Sequence, residues 1–237
     1  MWSRSGAGSV GAAVATAGLA VGATLAAREP LLGAGERLST VAAVTAPRLD
    51  QALGVPAWGM AAVLLAGLLA LALRAGRVAP PVGPWPPAVT GLALGSVGVL
   101  GWLGGALAGW NWGLSITGPS RSLVESVVLG VPGAAGWGTA MVLGVPVGTW
   151  LSARARGPVV WRRPPWTDLG GRAAGGVLMG VGGTVAAGCN IGNALTGLSV
   201  LAVNSAIASL AIVLGVAIAA AGMRAAAGVL TFVKEEA

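Results

Sequence analysis

The sequence predicts an all-α membrane protein with about six transmembrane helices, arranged as three helix–re-entrant link–helix repeats. Three observations predict this fold: 55% of the 237 residues are hydrophobic, only 9% are charged, and the apolar residues form long uncharged runs. A soluble domain carries about 25% charged residues, and a disordered chain needs low hydrophobicity and high charge. We therefore expect one integral membrane domain over residues 1–237.

Six apolar runs are candidates for membrane-crossing helices, each of which needs about 20 residues. The runs without internal charge are 8–27, 57–73, 88–109, 136–153, 173–187 and 205–222. The fifth run is short and continues into a Gly-rich polar stretch. The first also resembles a signal peptide, because Arg4 precedes an apolar run that ends in small residues. We interpret it as a retained helix, because the repeat described below begins within it.

Basic residues are concentrated on one predicted side of the membrane. Ten of the 14 lie in the tails or in the loops 74–87 and 154–172, namely Arg4, Arg74, Arg77, Arg154, Arg156, Arg162, Arg163, Arg172, Arg224 and Lys234. Because cytoplasmic loops carry the excess of Lys and Arg, we predict a multi-pass protein of the inner (plasma) membrane with both termini in the cytoplasm. No basic stripe with interleaved aromatic residues occurs, so we expect no nucleic-acid partner.

The chain repeats itself with a period near 79 residues. The segment Trp58–Leu64 resembles Trp137–Leu143, and the link Trp110–Ser120 shares Asn, Gly, Thr, Gly and Ser in register with Cys189–Ser199. Each unit also begins with a G-x-x-x-G pair, which allows close helix packing, at Gly18–Gly22, Gly91–Gly95 and Gly176–Gly180. The predicted repeat units are residues 8–77, 88–156 and 173–224.

The second and third links are too apolar to be ordinary exposed loops. The third, residues 188–204, carries no charge, and a segment at membrane depth must satisfy its backbone within the protein or line a cavity. We predict that both links are re-entrant, each a Gly-rich turn followed by a short half-helix, because many transporters build substrate sites from broken helices. The first link, residues 28–55, is charged and lacks the shared polar residues, so we interpret it as a degraded copy.

The single cysteine, Cys189, lies at the start of the third link. The chain has no His and no second Cys, which excludes Ser-His-Asp and Cys-His catalysis within this chain, an internal disulfide, and a zinc site of His or paired Cys. A lone Cys inside a helix is usually a small buried hydrophobe, but Cys189 lies at a predicted helix break, where backbone N–H groups attract anions. These donors favour the thiolate and burial favours the thiol; a neutral thiol suits anion transit better.

Uncharged hydrogen-bonding side chains follow the cysteine and recur in the second link. Such a set can bind an anion weakly enough to release it, as conduction requires. The predicted substrate-binding residues are Cys189, Asn190, Asn193, Thr196 and Ser199 in the third link, and Asn111, Thr117, Ser120 and Arg121 in the second. Two alternatives stay open: Asn and Thr side chains also cap helices, and Arg121 is spaced to pair with Glu125 on one helix face.

The stretch 175–205 resembles the YeeE/YedE family of inner-membrane proteins, as do GWNWGLSITGPSRSL and WGTAMVLGVPVGTWLSA before it. The resemblance covers roughly residues 57–225 and mainly the family's C-terminal half. It implies helices around short re-entrant segments, uptake of sulfur compounds such as thiosulfate, and the role of a pathway cysteine for Cys189. Asn193 and Ala194 stand where the family usually has His and Gly, and the family's N-terminal half with its cysteine motifs is missing.

The leading hypothesis is therefore a transporter or transporter subunit that moves a small sulfur-containing anion past Cys189, with no enzymatic step, metal, nucleotide or other cofactor. Its expected partners are the anion, membrane lipid, and a second copy or a complementary half-subunit; the resemblance adds a cytoplasmic sulfur carrier of the TusA type. A second hypothesis is a non-transporting scaffold or regulatory subunit of a sulfur-uptake complex. A third, a membrane sulfurtransferase, is disfavoured because no base lies beside Cys189 in sequence.

Overall fold

The protein is helical throughout the residues that its computed structural model describes, which are 1–28, 33, 48–75 and 85–235. The helices are α1 (Trp2–Gly6), α2 (Val10–Ala26), α3 (Leu49–Leu53), α4 (Ala57–Ala75), α5 (Pro87–Leu107), α6 (Thr117–Val127), α7 (Trp137–Arg156), α8 (Trp166–Val185) and α9 (Val203–Glu235), with a π-helix at Ile191–Gly197 between the last two. Within these ranges only isolated β-bridges occur and no strand forms. The predicted all-α class is confirmed.

A helix lies in each of the six predicted apolar runs. The segments Ala88–Leu107 and Val203–Ala225 are long and apolar enough to cross a membrane, whereas Val10–Ala26 and Ala57–Leu71 are apolar but shorter. Most of the large apolar side chains that the structure describes on α4, α5 and α9 (for α9, up to residue 225) are exposed, as expected of surfaces that face lipid. These observations fit a membrane protein; the number of crossings stays a prediction.

Parts of two predicted features lie outside the described residues. They are most of the first link, with Arg37, and the centre of the loop 74–87, with Arg77. The side chain of Lys234 also lies outside them. The orientation predicted from loop charge therefore rests on the sequence.

The best-packed contact joins α2 and α8, where two of the predicted G-x-x-x-G pairs face each other. No Cβ fits at any of their four glycines, namely Gly18, Gly22, Gly176 and Gly180, because the opposite backbone lies against them. At Gly22, for example, a Cβ would overlap the Val177 carbonyl. The close packing predicted for the first and third units is thus confirmed. In the second unit, a Cβ added at Gly91 or Gly95 would meet no atom of another element within 4 Å in the described part of the chain.

The second and third links both contain a short helix, as predicted. In the second, the chain leaves α5 through Gly109, runs without regular structure to residue 116, and forms the 11-residue α6. In the third, α8 ends at Val185 and the seven-residue π-helix follows. Helix α6 packs against α2, α7 and α8, which brings its first turn close to the end of α8.

Two residues at the borders of the third link adopt a left-handed backbone without being glycine. Ala187 has φ +54° and Leu201 has φ +59°, a region that side chains with a Cβ rarely occupy. The Leu201 carbonyl accepts a hydrogen bond from the Leu49 N–H at 2.8 Å, which docks α3 on the link. Such strained residues cluster at functional sites, and π-helical turns are also frequent there.

Candidate functional site

The second and third links are joined by side-chain hydrogen bonds across more than 80 residues of sequence. The Thr196 hydroxyl, on the π-helix, donates to the Leu114 carbonyl of the second link at 2.6 Å. Trp102 Nε1–H of α5 donates to the hydroxyl of Ser199, just after the π-helix, at 3.2 Å. The first bond holds the π-helix against the chain segment that leads into α6, and the second joins the third link to α5.

Cys189 lies where the two link helices begin, and its side chain is half-buried. The backbone N–H groups of Ile191 and Gly192, at the start of the π-helix, lie near its sulfur. From the second link, the backbone N–H of Ile116 and the hydroxyl of Thr117 approach the same sulfur atom. Donors from both links therefore lie around one point, where burial disfavours a charge and the N–H groups favour one.

The Thr117 hydroxyl is buried without a partner in the described part of the chain. Thr117 is 3% exposed, and its Oγ1 makes no hydrogen bond of ordinary length and angle. It lies against α8 at Gly183, where a Cβ would come within 2.8 Å of Oγ1. A buried donor left without an acceptor costs about 1–3 kcal/mol, so this position is prepared for a group that accepts a hydrogen bond.

A cavity of about 380 Å³ adjoins Thr117 and is large enough for a small anion with some water. It is lined by Trp112, Ser115, Thr117, Gly118, Arg121, Gly183, Thr184, Ala187 and Gly188. Arg121 is the one charged residue among them. Its Nε lies 3.4 Å from Glu125 Oε1, one turn further along α6, and its side chain is 39% exposed. The pairing considered for Arg121 therefore exists, and it leaves the guanidinium at the cavity wall.

Four predicted site residues use their polar atoms within the fold. Asn193 is 4% exposed; its Nδ2 donates to the Gly188 carbonyl at 2.8 Å, and its Oδ1 accepts from Ser205 Oγ at 3.1 Å. The hydroxyls of Ser120 and Ser199 each donate to a backbone carbonyl at 2.6 Å, as Thr196 does. These side chains fix the shape of the links around Cys189.

The remaining predicted residues, Asn111 and Asn190, are exposed and do not line the 380 Å³ cavity. Conversely, the cavity uses Trp112, Gly183 and Thr184, which the sequence analysis did not single out. The triplet Gly182-Gly183-Thr184 before the helix break could have indicated this part of the cavity, because adjacent glycines near a polar link permit close approach by another element.

A larger cavity, of about 840 Å³, lies between α4 and residues 194–206. Its lining is apolar apart from Ser199 and Arg48, and Arg48 Nε is 3.0 Å from Asp50 Oδ1. Such a surface suits lipid chains better than an anion. No group of three or more His, Cys, Asp or Glu side chains that could hold a metal ion occurs in the described residues.

Comparison with known proteins gives a consistent result. Residues 1–218 match a protein family described as sulphur transport. The chain is 35% identical over 111 residues to the thiosulfate transporter TsuA of Escherichia coli strain K12, which covers 47% of this chain and 32% of that protein. It is 31% identical over 171 residues to the thiosulfate transporter TsuA of Spirochaeta thermophila, which covers 71% of this chain and 51% of that protein. The chain thus spans about half the length of these relatives or less.

Proposed function

Because the chain belongs to the sulphur transport (YeeE/YedE) family, we propose that it is a membrane transporter, or a transporter subunit, that carries thiosulfate past Cys189 into the cytoplasm. Both relatives are named thiosulfate transporters. The observation that carries the proposal is the position of Cys189 just before the π-helix, where the two links are joined and next to Gly188, which lines the 380 Å³ cavity with Thr117 and Arg121. Transport of this kind needs no catalytic residue.

The anion enters the 380 Å³ cavity, where Arg121 and the first turn of α6 attract negative charge. There the Thr117 hydroxyl donates a hydrogen bond to the anion and replaces one that a hydrating water made in solution. The anion then exchanges into the donors around Cys189, and the thiol donates weakly to it without forming a covalent bond. A single adjacent cation, itself paired with Glu125, keeps binding weak enough for release.

The same proposal describes a multi-pass inner-membrane protein whose two short link helices are re-entrant. Support comes from the uncharged third link and from the basic loop 154–172, which the positive-inside rule assigns to the cytoplasm. A second copy or a complementary subunit completes the route in this account, and a TusA-type sulfur carrier receives the substrate on the cytoplasmic side.

The test is uptake of ³⁵S-thiosulfate into proteoliposomes that contain the purified chain. We expect uptake by the unaltered chain, loss with Cys189→Ala, and partial activity with Cys189→Ser, since a hydroxyl keeps a donor at that position. Ser209→Ala is the matched control, because Ser209 bonds only to the preceding turn of α9. Normal uptake with Cys189→Ala would remove the thiol from the mechanism. If the chain alone shows no uptake and a partner chain restores it, restored uptake that is lost with Cys189→Ala would support a transporter subunit. Restored uptake that is unchanged by Cys189→Ala would support the scaffold or regulatory subunit instead.

A further inference from the structure

A second polar cavity, of about 170 Å³, lies on another face of α6. Thr117, Gly118 and Arg121 line the cavity beside Cys189, whereas Pro119 and Ser122 line this one. At 100° per residue, these two sets point about 125° apart around the helix. The other walls are the end of α5, the residues before α7, and the first turn of α7.

The first turn of α7 lines this cavity and has backbone N–H groups without a cap. Helix α7 is 20 residues long, and Gly136 precedes it without any side-chain cap. The first N–H groups of a helix have no partner within the helix, and they form a ready site for an anion. Gly138 holds this turn against α6: a Cβ there would come within 2.8 Å of Pro119 Cγ.

Two buried side-chain donors of the same turn lack partners in the described part of the chain. Thr139 is 7% exposed, and neither its Oγ1 nor the Nε1 of Trp137 makes a hydrogen bond. Both residues line the cavity. The Trp137 ring is fixed in place against α5, where Gly104 leaves no room for a Cβ. Threonine in a helix has two favourable χ1 rotamers, so a rotamer change would let the Thr139 hydroxyl face a ligand.

We propose that this cavity is a binding site for a small oxyanion of the sulfate or thiosulfate type. Its lining supplies hydroxyl, indole and backbone donors and contains no carboxylate, so it matches a ligand that only accepts hydrogen bonds. One water occupies about 30 Å³, so 170 Å³ holds a five-atom anion with little else. The inference rests on the proposed function only in naming thiosulfate as the physiological ligand. In that case the cavity is an additional thiosulfate-binding site next to α6.

The test is an indole ¹⁵N–¹H titration of the purified chain in lipid nanodiscs. The chain has ten Trp residues, and Trp137→Phe identifies the Trp137 signal by its disappearance. We expect sulfate and thiosulfate each to move the Trp137 signal downfield to saturation, and sodium chloride at matched ionic strength to leave it in place. Thr139→Val should raise the midpoint about tenfold, the effect of one lost hydrogen bond to a charged group.

Thr149→Val is the control for Thr139→Val, because the Thr149 hydroxyl belongs to the same helix and donates to the Val145 carbonyl at 2.9 Å. It should keep the midpoint of the unaltered chain. Ser122→Ala is a second test variant in case Thr139→Val does not fold. It should raise the midpoint of the anion titration severalfold.

An unmoved Trp137 signal, or equal midpoints for the Thr139 and Thr149 variants, would overturn the inference. Uptake that still depends on Cys189 would then leave the proposed function intact. The reverse result is a saturating shift of the Trp137 signal together with normal uptake by Cys189→Ala. It would support this site and reject the mechanism at the thiol.

Discussion

Thr117→Val separates a ligand-binding hydroxyl from a structural one. Thr117 is 3% exposed, its Oγ1 has no ordinary hydrogen bond in the described chain, and it lies beside the Cys189 sulfur. Valine has nearly the same shape but no donor. If the bound anion accepts a hydrogen bond from this hydroxyl, the substitution removes about 1.5–3 kcal/mol of binding free energy, which corresponds to a rise in KM of roughly ten- to a hundredfold.

The same substitution should not destabilise the empty protein. A buried hydroxyl without a partner costs about 1–3 kcal/mol, so its replacement by a methyl group should hold or raise the unfolding temperature without substrate. Thr16→Val is the matched control: Thr16 is 6% exposed, but its hydroxyl donates to the Ala12 carbonyl at 2.8 Å. We expect that variant to lose a little stability and to keep its KM.

The assays are the concentration dependence of ³⁵S-thiosulfate uptake in proteoliposomes and the thermal unfolding midpoint in detergent. An unchanged KM in Thr117→Val, at normal expression, would refute the assignment of this hydroxyl to the substrate. A fall in stability equal to that of Thr16→Val would show that the Thr117 hydroxyl is bonded within the fold.

Three further predictions concern packing, charge and the shape of the third link. Gly180→Ala should lower the unfolding temperature, because overpacking of a close contact costs about 1–3 kcal/mol, whereas Gly91→Ala, on an open helix face, should be neutral or slightly stabilising. Arg121→Gln should raise the KM for uptake severalfold, and Glu125→Gln should lower it by releasing the guanidinium; both effects should shrink in high salt, since the Arg121 side chain is 39% exposed. A KM that falls with Arg121→Gln, or that rises with Glu125→Gln, would contradict the attraction of substrate by Arg121. Asn193→Ala should reduce both stability and maximal uptake, because it leaves the Gly188 carbonyl and the Ser205 hydroxyl without a partner; loss of stability alone would limit Asn193 to folding.

Much of the fold could be predicted because its causes are local in sequence. Long apolar runs form helices because a backbone in lipid must make its hydrogen bonds within its own segment. Helices α2 and α8 also carry glycines at i and i+4, which let the two backbones come into contact. The position of Cys189 at a helix break also followed from local sequence, since Gly188 precedes it and polar residues follow.

The roles of individual polar side chains could not be predicted in the same way. Asn193 and Thr117 look alike as uncharged donors, but the first donates to the Gly188 carbonyl, whereas the second makes no hydrogen bond of ordinary length and angle in the described chain. That difference depends on which segments meet across the fold. The repeat pattern also did not predict that Gly91 and Gly95, unlike the other two glycine pairs, have no opposing backbone among the residues that the structure describes.

Modification of Cys189 by a small, negatively charged methanethiosulfonate reagent tests the central claim most directly. Cys189 is the only cysteine of the chain, so every covalent label detected by mass spectrometry reports on this position. If dissolved anions travel past the thiol, the reagent should label the protein in sealed vesicles, and thiosulfate should slow the labelling with a midpoint near the KM for uptake, while chloride should not. A thiol that never reacts in the folded protein, or that reacts at the same rate with and without thiosulfate, would contradict a route for the anion past Cys189.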